Sequence, residues 1–184
     1  IKNAKIDAQG KVTANLEVNS DIKKKKTTVD GKFSSSNIKL ANYNFQNIKT
    51  AMKIADEKLT LTNTSFVFDE TISGFKIKED VKSDKFVYDL KNKTGNGNYI
   101  LNNLGSDFSI GTITGNLKIS AKNIISGTVN SNVLNGNYTI NPSRRTLVAN
   151  ARSKGYFTVN YGGKSYTISP DVDNLVVNFN EKNM

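Results

Sequence analysis

Residues 4–19, AKIDAQGKVTANLEVN, alternate apolar and polar side chains without a break. Ala4, Ile6, Ala8, Gly10, Val12, Ala14, Leu16 and Val18 fall on one face. Lys5, Asp7, Gln9, Lys11, Thr13, Asn15, Glu17 and Asn19 fall on the other. A period of two belongs to extended chain, in which successive side chains point to opposite sides. A helix would scatter the same residues around its circumference. The segment therefore reads as one strand, or as two in a hairpin, with one face buried and one solvated.

Outward from this stretch the alternation returns in short bursts. Ile38 and Leu40 are followed by Tyr43 and Phe45, Met52 and Ile54, Leu59 and Leu61, and Phe66 and Phe68. Phe75 and Ile77, Phe86, Tyr88 and Leu90, Tyr99 and Leu101, and Phe108 and Ile110 come next. The last third adds Leu117 and Ile119, Tyr138 and Ile140, Leu147 and Ala149, Phe157 and Val159, Tyr166 and Ile168, and Leu175 and Val177. Counted as separate strands these make roughly 14–16, at the 8–12-residue spacing of all-β folds. Asp30-Gly31, Asn135-Gly136 and Gly162-Gly163 are dipeptides that accept positive φ, and they predict tight hairpins. Gly95-Asn96-Gly97 and Gly111 to Gly115 predict further corners, and Pro142 and Pro170 each end a strand. Residues 47–58 also place Ile48, Ala51, Met52 and Ala55 at helical spacing, but the strand parse agrees better with what flanks them. No linker divides the chain, so residues 1–184 read as a single all-β segment.

Composition narrows the chemistry. The chain has no Cys, His or Trp, which removes thiolate and imidazole catalysis and the usual zinc, haem and iron–sulfur ligand sets. The adjacent acidic pairs Asp56-Glu57, Asp69-Glu70 and Glu79-Asp80 would point to opposite faces of a strand rather than converge on one substrate atom. Ser34–Ser36 near Lys39, and Ser153-Lys154, are adjacencies expected by chance where Ser and Lys are common. No phosphate or calcium loop is present. The expectation is a non-enzyme without cofactor or metal.

The formal charge is +10, from 26 Lys+Arg against 16 Asp+Glu. Arg144, Arg145 and Arg152 are the only arginines, so the Arg forks typical of nucleic-acid readers are scarce and no nucleic-acid partner is expected. Heavy Lys, Asn and Ile usage matches an AT-rich bacterial coding bias, while an anionic partner such as a lipid headgroup surface is the competing source of the charge. Lys23–Lys26 reads most simply as a solvated hairpin tip that discourages edge-to-edge association. Contact with anionic headgroups is its functional alternative. The apolar content is 36%, and an ordinary sandwich has seven to nine strands. So many strands call for two sandwiches, a barrel, or a long sheet curved on itself around an apolar interior.

The phrases GKVTANLEVNS (10–20), EKLTLTNTSFVFDE (57–70), GNLKISAKNIISGTVNS (115–131) and NLVVNFN (174–180) resemble TamB/AsmA-like envelope proteins, in texture over most of the chain rather than in an invariant motif. The resemblance implies a U-shaped, β-taco-like sheet with an apolar groove, in an internal segment of a periplasmic, inner-membrane-anchored protein. It implies a role in inter-membrane phospholipid transport or outer-membrane assembly, with assembly partners bound outside this chain. Any export signal or anchor would then also lie outside it. A phospholipid or other acyl chain in the groove would be lined by Ile6, Val12, Leu16, Val18, Ile38, Leu40, Phe45, Leu59, Leu61, Phe66, Phe68, Phe86, Tyr88, Leu117, Ile119, Tyr138 and Ile140 acting together. The alternative fold is a β-sandwich or jellyroll, the latter of the kind that binds lipopolysaccharide. The alternative function is a cell-surface adhesin or passenger β-domain that binds a host ligand.

Overall fold

A computed structural model describes residues 8–40, 43–72, 74–109, 111–169 and 171–178. Every regular element among them is a strand: β1 (Ala8–Gly10), β2 (Thr13–Asp21), β3 (Lys26–Leu40), β4 (Tyr43–Ala55), β5 (Lys58–Ile72), β6 (Phe75–Asp89), β7 (Thr94–Asn103), β8 (Phe108–Ser109), β9 (Ile113–Ile119), β10 (Ile125–Asn130), β11 (Leu134–Asn141), β12 (Thr146–Ser153), β13 (Phe157–Tyr161), β14 (Lys164–Ile168) and β15 (Val172–Asn178). Twelve strands form one antiparallel sheet in the order β1-β3-β4-β5-β6-β7-β9-β10-β11-β12-β15, with β2 also pairing β3. The order is a meander, and the sheet does not close. A second sheet, β14-β13-β8, is built from the excursions that leave the main sheet after β7 and after β12.

Among the described residues no second layer covers the main sheet. Val159, in the small sheet, is the single buried hydrophobic residue among those described, and no large side chain is fully enclosed. The accessible surface is 12,734 Å², where a compact monomer of 20.2 kDa exposes about 8,800 Å². A sandwich or jellyroll would bury a row of inward side chains from both layers, so that alternative does not describe this chain. All substantial contacts between elements join hydrogen-bonded neighbours.

Several local expectations are corrected by the strand pairing. Residues 8–18 are neither one strand nor a hairpin: β1 and β2 lie end to end along β3, with Lys11 and Val12 between them. Residues 4–7 lie outside those described. Asp30-Gly31 sits inside β3 opposite Glu17 and Leu16, and Asn135-Gly136 sits inside β11; Gly95-Asn96-Gly97 lies within β7 and Gly115 within β9. Glycine in these strands answers a packing need described below, not a turn. Gly162 and Gly163, at φ 57° and 73°, do close the β13–β14 hairpin. Pro142 follows the last residue of β11, and Pro170 lies outside the described residues. Residues 47–55 complete β4, and the two-residue turn Asp56-Glu57 joins it to β5 with both φ positive.

Bursts read as separate strands also merge. Tyr43–Phe45 and Met52–Ile54 share β4, Leu59–Leu61 and Phe66–Phe68 share β5, and Phe75–Ile77 and Phe86–Tyr88 share β6. Between the two bursts of each strand the apolar positions change parity. That slip would send half of them to the other face. An extra residue cancels it: β4 and β5 shift register between Gln46 and Ala51, β6 shifts between Lys82 and Phe86, and Asn47 and Asn63 take φ of 54° and 51°. β-Bulges insert one residue in this way. Strand β7 fixes the outcome. Gly95, Gly97, Leu101 and Asn103 share one face of an uninterrupted strand, and they pair with Tyr88, Phe86, Val81 and Glu79.

The turns fall into two sets. Those joining β2–β3, β4–β5, β6–β7, β9–β10 and β11–β12 gather at one end of the sheet. Three of the five share one design. An Asx side chain at the strand end accepts the backbone N–H three residues on: Asp21 from Lys24 at 3.0 Å, Asp89 from Asn92 at 2.7 Å and Asn141 from Arg144 at 3.1 Å. The next residue is left-handed in each, Lys25, Lys93 and Arg145, at φ 51°, 55° and 52°.

Candidate functional site: an uncovered apolar face

Register carries single rows of side chains across the whole sheet. One row runs Val18, Val29, Ile54, Leu59, Tyr88, Gly95, Ile119, Ile125, Ile140, Leu147 and Val177. The next runs Leu16, Gly31, Met52, Leu61, Phe86, Gly97, Leu117, Gly127, Tyr138, Ala149 and Leu175. The tyrosine hydroxyls are the only side-chain polar atoms in either row. Beyond the bulges the same face continues through Ile38 opposite Phe45, Phe45 opposite Phe68, and Phe66 opposite Val81. Leu40 lies opposite Tyr43 at the end of this stretch. Phe45 meets Phe66 edge-on, with ring centroids 5.5 Å apart, and Phe68 at 5.6 Å, separations at which aromatic pairs attract.

The residues expected to line an acyl-chain site are thus brought onto one surface, with two exceptions. Ile6 lies outside the described residues, and Val12 sits in the gap between β1 and β2. Interior members are half-buried by one another. Those on β2 are open, Leu16 at 53% and Val18 at 63% exposure. Members that sequence bursts alone do not supply are Val29, Val81, Ile125 and the glycines. Register is the signal that finds them.

The glycines explain how a face without a second layer stays dry in part. A Cβ on Gly97 would meet the Phe86 ring at 2.8 Å, one on Gly31 would meet Leu16 at 2.6 Å, and ones on Gly115 and Gly127 would meet the hydroxyls of Tyr99 and Tyr138 at 2.5 Å each. Large side chains lie flat over glycines of the neighbouring strand, so cross-strand pairs cover backbone that a facing sheet would otherwise cover. Tyr99 donates to the Thr128 carbonyl at 2.7 Å. Burial raises both phenols above their ordinary value, Tyr99 the further. The Tyr99 hydroxyl is thus already engaged by the backbone.

The opposite face is polar, with rows such as Asn15, Lys32, Ala51, Thr62 and Lys85. Hollows of about 820, 440 and 430 Å³ lie on this side, lined by residues such as Lys85, Asn98, Asn116, Lys53 and Thr60. Acidic pairs are engaged locally: Asp69 with Lys78 at 2.9 Å, Asp80 with Lys82 at 2.8 Å, and Glu70 accepting the Asn44 N–H at 2.6 Å. Among the described residues no three carboxylates gather as a cation site, and no helix is long and apolar enough to cross a membrane.

Fold and face together define a class: an open, single-layered antiparallel meander with one apolar and one polar side. No protein-family model matches the chain, and neither a curated protein nor a solved structure matches it.

Proposed function

We propose that the apolar face is a non-catalytic lipid-binding surface, in a segment of a TamB/AsmA-like bacterial envelope protein that carries phospholipid between membranes or serves outer-membrane assembly. Two rows crossing the sheet from β2 to β15, apolar but for two tyrosine hydroxyls, carry the proposal. Acyl chains lie along such rows and slide between equivalent positions, each buried CH₂ contributing roughly 0.8 kcal/mol. Fixed hydrogen-bonding groups would trap a headgroup, and the two rows carry only the hydroxyls of Tyr88 and Tyr138. The adhesin alternative in its solenoid form needs parallel coils stacked at a fixed repeat. The described strand pairs of this sheet are antiparallel neighbours, which favours the lipid reading.

The test is native mass spectrometry of protein purified from a bacterial host, with lipid extraction in parallel. The wild-type chain is expected to carry phospholipid. Leu16→Lys and Leu175→Lys charge opposite ends of one row at positions 53% and 46% exposed, so strand content survives while lipid is lost. Lipid-free wild-type protein, or undiminished lipid in both variants, refutes the proposal.

A further inference from the structure

We infer that the sheet end holding the β2–β3, β4–β5, β6–β7, β9–β10 and β11–β12 turns is a basic rim that docks on an anionic bilayer surface. Residues 21–26, 56–58, 89–93, 120–124 and 141–145 hold ten Lys or Arg against four Asp or Glu. The connections at the other end, residues 40–43, 70–76, 101–113, 130–135 and 151–172, hold four against three. Coding bias enriches lysine everywhere. It does not sort lysine to one end of a meander. From β2 to β12 the rim spans nine strand spacings, about 43 Å, and its cations lie within a Debye length of their neighbours.

Two further observations favour a charged surface of this kind. Lys25, Lys93 and Arg145 occupy the left-handed position of three like-built turns, where Gly or Asn is the unstrained choice, as Asn123 at φ 57° shows in the β9–β10 turn. The like-built turns accept that strain at a cation each time, while the shorter β4–β5 turn places Asp56 and Glu57 there. At two of these turns an aliphatic side chain stands among the lysines, Ile22 at 87% exposure beside Lys23–Lys26 and Leu90 at 46% beside Lys91 and Lys93. A soluble polyanion has no use for exposed Ile and Leu. A bilayer takes the aliphatic groups into its interface while headgroups meet the cations. Ion pairs Lys24–Asp21, Lys26–Asp56 and Lys91–Glu57 at 3.6, 3.0 and 3.9 Å engage part of the rim and leave the excess positive.

The inference does not rest on lipid lying along the apolar face. Cosedimentation of the full chain is measured with vesicles of phosphatidylcholine alone and with 30% phosphatidylglycerol added, in 0.1 and 0.5 M salt. Binding is expected only to the anionic vesicles and only at the lower salt. Each charge near such a surface contributes about fivefold, so Lys23→Gln/Lys24→Gln/Lys25→Gln weakens binding by on the order of a hundredfold. Ile22→Ser/Leu90→Ser weakens it about tenfold, and Lys32→Gln/Lys85→Gln on the polar face leaves it unchanged. Circular dichroism checks that each variant keeps its strands. Three results overturn the inference: no preference for anionic vesicles; equal loss in the polar-face variant; or heparin binding as tight as vesicle binding and indifferent to Ile22→Ser/Leu90→Ser, which would make the rim a polyanion site. Copurified lipid retained by a rim variant that no longer sediments separates this outcome from that of the face.

Discussion

Gly95 sits in β7 with Phe86 and Tyr88 of β6 lying over it, and a double-mutant cycle tests whether that overlay replaces a second layer. An added Cβ would stand 2.9 Å from Phe86 Cζ, 3.0 Å from Tyr88 Cδ2 and 3.4 Å from the Val87 carbonyl. The tight contacts are thus side chains and the backbone is clear. Gly95→Ala overpacks the ring, at about 1–3 kcal/mol, and recovers about 0.5–1 kcal/mol of glycine's conformational entropy. The net expectation is a loss near 1 kcal/mol. Phe86→Ala loses about 2 kcal/mol, below the 3–5 kcal/mol of an enclosed phenylalanine, because the ring's outer side is already open. With the ring gone, Gly95→Ala becomes neutral or stabilising, so the cycle gives a coupling of about 1–2 kcal/mol. Urea unfolding followed by far-UV circular dichroism measures all four proteins. If Gly95→Ala costs the same in both backgrounds, within about 0.3 kcal/mol, the glycine is not there to seat the ring and the account of the face is wrong.

Two other measurements probe the same architecture. Alkaline titration at 295 nm should show Tyr99 and Tyr138 silent at the ordinary phenol value near 10. Because their folded values are raised, the stability they contribute is whole below the ordinary phenol value near 10 and falls as pH climbs beyond it. Tyr99→Phe and Tyr138→Phe should each remove a late step, and a single transition of all seven tyrosines near pH 10 would contradict the burial. The urea m-value should fall about one-fifth below that of a compact protein of equal size. The unfolded chain exposes about 29,300 Å², so unfolding uncovers about 16,600 Å² here against about 20,500 Å². An m-value at the compact norm would mean a covered face.

The alternation at residues 8–18 was enough to read the fold class, because one solvated and one apolar side require a period of two in any antiparallel sheet. Glycines misled the turn assignment. Gly31 and Gly136 follow Asp and Asn, the signature of a tight hairpin, yet both are face positions, Gly31 beneath Leu16 and Phe33 and Gly136 in line with Val129 and Ala151. Local chemistry cannot tell a glycine that bends the chain from one that makes room for a cross-strand neighbour. Bulges hid in the same manner, since a change of parity at Phe45–Met52 or Leu61–Phe66 looks like a turn until the partner strands show the extra residue. Most of the face was legible as apolar bursts. Its continuity was not, because continuity is a property of register. The basic rim was legible only at Lys23–Lys26, since the other cations come together through topology.

Because each strand leans only on its two neighbours, the sheet behaves as a one-dimensional array whose stability is a sum of adjacent couplings. Opening should begin at the β1/β2 and β15 margins and work inward, with the slowest hydrogen exchange at β5–β6, where register is unbroken from Lys58↔Asp89 to Ile72↔Phe75. Such an array has no preferred size. Inserting or deleting one hairpin removes no keystone and leaves the alternation of ends intact. It changes the length by two strand spacings, about 10 Å, and adds or subtracts one turn at the cationic end along with one segment of each apolar row. Reach and charge are therefore geared together, and the number of hairpins is the quantity that sets both.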